Sequence, residues 1–470
     1  MPSLKILEYP YSQNLEHLFD AVRDLPSPVW FDSGKPGSVQ GRFDIISAAP
    51  HLVLETQGQT TTISRQSAGP HSIVESTDNP FTLAQQALEE MGPVDTRQST
   101  LPFCGGLAGY IGYQAGICGQ SLKNFSPEHQ AEMAGLPDLR LGYYTWALIV
   151  NHQSSKAWTV FHPACSAQLR KDVLARLAST ERNGHTKTSK QDDNFRLSTP
   201  FEAAMTRHDY DKAFATIKDY IYAGDCYQVN FAQYFGATYS GDPWHAYRQL
   251  RTALPSPFSA FMSWQDKAIL SLSPERFVKF SDNQVESRPI KGTAARGLSI
   301  ADDREKAAAL INSVKDRAEN LMIVDLIRND LGKSCLPGSI QVPGLFDLES
   351  FANVHHLVST VTGTVAKNKT ALDLLSDCFP GGSITGAPKK RAMEIIQELE
   401  LVKRSIYCGN IAYISACGRM DSSIAIRTLA ANGGKLHCWG GGGIVADSVA
   451  EDEYNESLAK VSLLMDTLSG

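Results

Sequence analysis

An α+β fold with antiparallel sheet is predicted by three features of this 470-residue chain. Short β-type runs dominate residues 1–180. Helical periodicities and strand-like runs then come in mixed order, and hairpin-like turns join neighbouring strands. A strict alternation of strand and helix, the mark of a parallel sheet, is missing.

The elements follow in order. Residues 51–56 (HLVLET), 60–64 (TTTIS) and 144–152 (YTWALIVNH) are rich in β-branched and aromatic side chains and read as strands. Residues 101–113 (LPFCGGLAGYIGY) mix glycines with aromatics, which suits strands or turns where backbones approach closely. Residues 179–200 are polar and nearly free of apolar side chains. We read 181–200 as a linker or surface loop between an N-terminal region, 1–180, and a C-terminal region, 201–470.

Beyond it, Tyr210, Phe214, Ile217 and Ile221 fall at helical spacing, and Gly224 stops that helix. Residues 268–280 (AILSLSPERFVKF) alternate like two strands meeting at a turn. Residues 311–332 form a long helical pattern ending at Gly332. Another spans 387–402, with Pro388 in its first turn. Residues 411–418, 422–434 and 435–446 read as strands, and a last helix starts near Glu451.

Composition excludes several classes. The chain is 42% hydrophobic and 20% charged, with net charge −6 and pI about 6.1. No basic patch suits a nucleic acid, so no nucleic-acid partner is expected. No apolar run approaches the ~18 residues that span a bilayer, and residues 1–13 lack the charged and apolar regions of a secretory leader. A soluble cytoplasmic protein, away from any membrane, is expected. Nine scattered cysteines form no C-x-x-C pair and read as small buried apolar residues in a reducing compartment. Residues 115–121 (AGICGQS) approach the G-x-C-x-G-x-Q turn of a glutaminase nucleophile, but the spacing around the second glycine fails. No strand–elbow–helix pattern frames Cys118 either, so this chain carries no glutaminase site of its own.

Several patches in the C-terminal half can carry chemistry. Lys291 stands alone among turn residues in RPIKGTAARG (288–297) and is either a solvated loop lysine or a working amine. Glu275 follows Ser-Pro at a strand end, and is a turn residue or, if buried, a general acid. Glu319 shares a helical stripe with Lys315, Met322, Ile323 and Leu326, as a surface partner of Lys315 or as a ligand. On the last helix, Tyr454, Leu458, Val461 and Met465 form an apolar stripe, with Glu453, Glu456 and Lys460 roughly opposite. Two acids from different helices, such as Glu319 and Glu456, can hold one Mg²⁺. GGSITGAPKK (381–390) is a helix cap or an anion seat. The four glycines 440–443 are a turn or a place where a ligand meets backbone. Arg427, inside a β-type run, can pair with a carboxylate.

Taken in order, the strings SPERF, RPIKGT, KDRAENLMIVDLIRNDLG, VHHLVSTV, FPGGSITGAPKKRAMEII, SSIAIRT, GGGIVADS and EYNES resemble the chorismate-utilising enzyme family. They run from about Gln228 to the end of the sequence. GRFDIISAAP and FCGGLAGYIGYQ extend a weaker likeness into the N-terminal half. The resemblance implies antiparallel sheets packed face to face with helices outside. Anthranilate and isochorismate synthases carry alanine where Lys291 stands. The lysine form resembles the branch that converts chorismate to 4-amino-4-deoxychorismate for p-aminobenzoate and folate. Anthranilate synthase, then isochorismate synthase, are the alternative readings.

Residue by residue, the resemblance implies Lys291 as the covalent nucleophile and Glu275 as general acid; to react, Lys291 must be partly desolvated or stand beside a cation, for which Arg288 and the metal are candidates. It implies Glu319 and Glu456 as Mg²⁺ ligands, with Glu453 beside them. Thr385, Tyr407, Arg427, Gly441, Gly443 and Lys460 would hold the carboxylates of chorismate, and Gly292, Thr293 and His356 the ring side. It further implies a separate glutamine amidotransferase subunit as source of ammonia. WFDSG (30–34) stands near the place of the family's tryptophan-sensing string, which puts Ser33 in a possible tryptophan pocket.

Overall fold

The computed structural model describes residues 3–38, 41–65, 72–92, 94–95, 100–119, 135–182, 194–350 and 354–470, without the side chains of 117–119 and 181–182. Most of the polar stretch 181–200, residues 183–193, lies outside the described residues, as does the Cys118 side chain.

Two antiparallel sheets form the fold. The thirteen-stranded sheet runs Lys5–Tyr9, Lys156–Phe161, Trp146–Asn151, Phe43–Ser47, Val29–Asp32, Phe258–Trp264, then Lys267–Ser273, Thr428–Asn432, Lys435–Ile444, Gln228–Ser240 and Arg196–Leu197. Two short strands, Glu202–Ala203 and Gly386–Ala387, also pair with Gln228–Ser240. The twelve-stranded sheet runs Ile290–Ala295, Val354–Thr364, Gln284–Ser287, Arg276–Ser281, Met420–Ile424, Asn410–Ser415, then Gly106–Ile111, Leu139–Tyr144, Leu52–Gln57, Thr60–Arg65 and Ser72–Ser76. Its strand Val354–Thr364 also pairs with Gln341–Ser350. Strands from before residue 180 and after residue 200 lie side by side in both sheets.

The period-2 alternation of the strands explains the layering. In Trp146–Asn151, Ala147 and Ile149 point into the core between the sheets, while Trp146, Leu148 and Val150 point to the outer core. Val29 and Trp30, and Ile45 and Ile46, divide the same way. The thirteen-stranded sheet is therefore apolar on both faces. Helix Pro243–Ala253 covers its outer face with Trp244, Tyr247 and Leu250, beside Val461, Leu464 and Leu468 of helix Ala450–Ser469. Helices Arg207–Tyr222 and Lys389–Leu399 bury Phe214, Ile217, Ile395 and Ile396 against Val229 and Phe231. Among the described residues no helix is long and apolar enough to cross a membrane.

Several boundaries differ from those read in the sequence. Run 144–152 changes sheet at Thr145, because Leu139–Tyr144 belongs to one sheet and Trp146–Asn151 to the other. Run 422–434 divides likewise between Met420–Ile424 and Thr428–Asn432. A continuous apolar run carries no mark of which sheet it serves. The long helix starts at Val314, since the Ser313 hydroxyl accepts from the Asp316 amide (3.2 Å) and caps it. Pro388 is the residue before helix Lys389–Leu399, extended at ψ 140°, rather than part of its first turn. Glycines 440–443 form the interior of strand Lys435–Ile444, not a turn.

Ile149 is fully buried between the sheets. Ile149→Ala is expected to cost roughly 2–5 kcal/mol, read from the urea midpoint. Exposed Lys156→Ala on the next strand should change stability by no more than about 0.5 kcal/mol. Equal effects would refute the two-sided burial of this sheet.

Candidate functional site

The site forms where the chain changes sheets. It passes from one sheet to the other between Lys267–Ser273 and Arg276–Ser281, and returns between Met420–Ile424 and Thr428–Asn432. The crossings are bonded together. Ser273 Oγ donates to the Ile424 carbonyl (2.6 Å), the Ile424 amide to the Glu275 carbonyl (3.1 Å), and the Leu272 amide to the Arg427 carbonyl (3.0 Å). Glu275 and Arg427 are thus fixed by backbone that must turn a corner. Glu275 is 6% exposed, and its carboxylate accepts from Ser383 Oγ (3.4 Å) and the Ile290 amide. Arg427 sits at φ +50°, in the left-handed region that non-glycine residues seldom adopt. Burial pushes its pKa down, and no described carboxylate pairs with its guanidinium.

Lys291 lies on edge strand Ile290–Ala295, whose register against Val354–Thr364 shifts between Ile290 and Thr293. Gly292 at φ +87° makes this bulge possible, and a Cβ there would stand 3.0 Å from Leu310 Cδ1 and 3.1 Å from Asp316. A bulge re-aims a side chain. Here half-buried Lys291 turns inward, and its Nζ donates to the Ser383 carbonyl (3.1 Å). Ser383 therefore holds Lys291 through its carbonyl and Glu275 through its hydroxyl. Burial lowers the pKa of Lys291 against the opposing charges of Glu275 and Glu319, and Lys460 lowers it further. Burial pushes Glu275 up to about 7, with the Lys291 charge pulling the other way. Arg288 does not take the part expected of it. It is ion-paired with Glu349, and burial, not Arg288, depresses Lys291.

The acids come from two helices. Asn320 anchors helix Val314–Gly332 by donating to the Leu357 carbonyl (3.3 Å) and accepting from Ser359 Oγ (2.6 Å), which fixes its neighbour Glu319. Burial raises the pKa of Glu319. On helix Ala450–Ser469 the buried face is Glu453, Ser457, Val461, Leu464 and Leu468. Glu453 thus heads the buried stripe instead of opposing it, while Tyr454, Leu458 and Met465 are half-buried. Ser448 Oγ donates to Glu453 (2.6 Å), yet burial still raises that carboxyl. Burial also acts upward on Glu456, but Lys460 at 2.6 Å holds it below the ordinary range.

Glycines let this helix lie close on strand Lys435–Ile444. A Cβ at Gly440 would meet the Ser457 carbonyl at 2.4 Å. One at Gly442 would stand 3.2 Å from Glu453, 3.7 Å from Glu456 and 3.8 Å from Lys460. Lys460 Nζ also donates to the Gly441 carbonyl (3.0 Å). Lys315 lies nearer to Glu453 (3.8 Å) than its predicted pairing with Glu319 implied. Among the described residues no three His, Cys, Asp or Glu side chains gather as a ready metal cage. Three carboxylates of like charge, Glu453 buried, Glu319 half-buried and Glu456 exposed, still suit a hard cation whose remaining ligands are water and substrate oxygens.

The other candidates divide. Thr293 Oγ1 and His356 Nδ1 are 2.8 Å apart, and burial, then Arg427, lowers His356 to about 4, so the ring is neutral. Thr385 is buried, with its hydroxyl donated to the Gly381 carbonyl (2.9 Å). Tyr407 stacks on Trp439, 6.1 Å between centroids, just before the glycine run. A Cβ at Gly443 would lie 2.4 Å from Gln228 Nε2. Ser33 stands apart from this cluster. It is buried, and its amide donates to Asp44 (2.7 Å) near an inter-sheet cavity of about 490 Å³ lined by Phe31, Asp32, Phe43, Ser259, Arg276 and Tyr413.

Sequence reasoning passed over four residues. Ser383 was visible only as part of a glycine-rich string. Gln228 is fully buried with neither end of its amide bonded, which strand pairing alone reveals. Arg404 and Glu400 form a buried ion pair (2.7 Å) that ties the Ile384 and Asn230 carbonyls to Ala232. Their i, i+4 spacing looks like any surface pair.

The chorismate binding enzyme family matches residues 29–466. The chain belongs to this family and is an enzyme. It is 45% identical over 453 residues to aminodeoxychorismate synthase component 1 of Escherichia coli (strain K12), covering 96% of each chain. It is 35% identical to anthranilate synthase component 1 of Pseudomonas putida, over 93% of this chain and 89% of that one. The crystal structure of anthranilate synthase component I from Streptococcus pneumoniae TIGR4 superposes with TM-score 0.78 at 30% identity, covering 91% of this chain and 93% of that one.

Glu275 should titrate near 7, followed by the difference in carboxyl infrared absorption between wild type and Glu275→Gln. Its folded pKa lies above the unfolded value of about 4.3, so its contribution to stability is complete below that pH. It is lost as pH rises through about 7. Glu275→Gln should therefore gain stability relative to wild type on the alkaline side. A midpoint in the ordinary glutamate range would contradict this environment.

Proposed function

We propose that this enzyme aminates chorismate to 4-amino-4-deoxychorismate in p-aminobenzoate and folate biosynthesis. The observation that carries the reading is the inward-turned Lys291 amine, joined through Ser383 to a glutamic acid that titrates near neutrality. The identity to aminodeoxychorismate synthase component 1 supports the same substrate.

Replacing the C4 hydroxyl by nitrogen with retention requires two displacements. In the first, Lys291 Nζ bonds to C2, both ring double bonds shift, and the C4 hydroxyl leaves as water with the Glu275 proton. In the second, ammonia bonds to C4, both double bonds shift back, and the C2–nitrogen bond breaks. Covalent catalysis divides one difficult step into two easier ones. A lysine near its free pKa of about 10.4 would be almost wholly protonated at neutral pH. Desolvation of Lys291 increases the neutral fraction, and the Glu275 carboxylate left by the first step can take the proton the new C–N bond releases.

Glu319 and Glu456, with Glu453 adjacent, would hold Mg²⁺, which supplies positive charge for a substrate carboxylate. Arg427, buried without a described carboxylate partner, suits a second carboxylate bidentately. Thr385, Tyr407, Gly441, Gly443 and Lys460 complete the carboxylate side, and Gly292, Thr293 and neutral His356 the ring side. The designation component 1 of the relatives speaks for a second component, and a separate glutamine amidotransferase subunit in that place would supply the ammonia. The aromatic lining of the inter-sheet cavity, with Arg276, suits tryptophan near Ser33.

The test supplies chorismate, ammonium salt and Mg²⁺, with an added aminodeoxychorismate lyase. Wild type should yield p-aminobenzoate, and Lys291→Ala should lose at least about 10²-fold of it, the low end for a lost catalytic group. A chelator should abolish the activity and Mg²⁺ restore it. Unchanged amination in Lys291→Ala would refute the covalent route, and fluorescent anthranilate with pyruvate from wild type would favour the alternative family activity.

A further inference from the structure

Two cysteines lie close together several strands away from Lys291, outside the catalytic cluster. Strand Asn410–Ser415 pairs with Gly106–Ile111 so that Ser415 stands opposite Gly106. The Ala416 amide continues the ladder to the Gly105 carbonyl (2.8 Å). The chain then turns at Ala416 and Cys417, while Cys104 immediately precedes Gly105 on the facing segment.

The side chains agree with the register. The Ser415 hydroxyl accepts from the Cys104 amide (2.9 Å) and lies 3.1 Å from Cys417 Sγ. The two thiols are hydrogen-bonded to each other. Cys104 is fully buried, whereas Cys417 is half-exposed on the hairpin turn before Arg419. That hairpin is tied to the strand-entry loop by Arg419, whose guanidinium donates to the Leu101 carbonyl (2.7 Å). A half-buried thiol backed by a fully buried one is the arrangement of an attacking and a resolving thiol.

We propose that Cys417 and Cys104 form a peroxide-oxidisable dithiol that closes into a disulfide between the 101–105 segment and the 415–420 hairpin. The Cys417 thiolate attacks one oxygen of hydrogen peroxide, the O–O bond breaks, and the departing hydroxide takes a proton to become water. Cys417 is left as the sulfenic acid. The Cys104 sulfur then attacks that sulfur, the S–O bond breaks, and the hydroxyl leaves with the Cys104 proton as a second water. Two thiols are oxidised and one peroxide is reduced to two waters.

The electrostatics favour this order. The hydrogen bond from Cys104 brings Cys417 down to about 6, with Ser415, the Arg419 amide and the Arg419 charge acting the same way against burial. Tyr413 also faces the thiolate. Both linked segments border the inter-sheet cavity through Pro102, Arg419 and Met420, so closure would fasten one wall of that cavity.

The test uses the full chain. Wild type is treated with hydrogen peroxide, and its non-reduced peptides are mapped by mass spectrometry. A linked peptide joining Cys104 and Cys417, reversible by dithiothreitol, is expected. Cys417→Ser should abolish it, and Cys104→Ser should stop at a sulfenic acid on Cys417 that a dimedone probe traps. In untreated wild type, Cys417 should alkylate about tenfold faster than an ordinary thiol at neutral pH. Absence of the linked peptide in wild type, or Cys417 reacting no faster than a free cysteine, would overturn the proposal.

Discussion

Everything at the centre of this enzyme depends on one residue's backbone and side chain. The Ser383 carbonyl receives the Lys291 amine, and its hydroxyl reaches Glu275. The two titratable groups come from different strands and would otherwise be positioned independently. Through Ser383 an amine and an acid are held in one desolvated place, where the amine is easier to deprotonate and the acid easier to keep protonated. Each shift has burial as its leading cause, so the arrangement works only while water stays out.

The fold supplies that dryness by changing sheets. Where the chain leaves one sheet for the other, regular pairing ends inside the protein and backbone polar groups must find partners nearby. The crossings at 273–276 and 424–428 satisfy one another, and their corner residues are Glu275 and Arg427. The bulge at Lys291 and the glycine strand beneath helix Ala450–Ser469 act alike. Both give up side-chain packing or regular register so that a charged group can approach a backbone. The result is one cluster of acids and lysines, two of whose amines are held by main-chain carbonyls.

Some of this was legible in the sequence, and the reasons differ from place to place. Helix Arg207–Tyr222 was readable because Tyr210, Phe214 and Ile217 repeat at its period and Gly224 ends it. Strands Lys267–Ser273 and Arg276–Ser281 were readable from alternation around Ser-Pro. The family resemblance brought forward Lys291, Glu275, Glu319, Glu453 and Lys460, which share one electrostatic cluster in the structure. Which sheet each strand joins was not legible, because pairing is a long-range choice that leaves no local pattern. The burial of Glu453 was missed for a similar reason. Its stripe is apolar only from Val461 onward, and the helix rests on glycines that contribute no hydrophobic partner to count. Ser383 and Gln228 acquire meaning only from the groups opposite them.

The most direct measurement is the titration of Lys291 itself, by pH-dependent competitive acetylation of the metal-free enzyme with quantification of the Lys291 peptide. The midpoint should lie below the ordinary lysine value of about 10.4. It should fall further in Glu275→Gln, because the Glu275 charge opposes the effect of burial. An ordinary midpoint that ignores the loss of Glu275 would contradict the shared, desolvated pair on which this account rests.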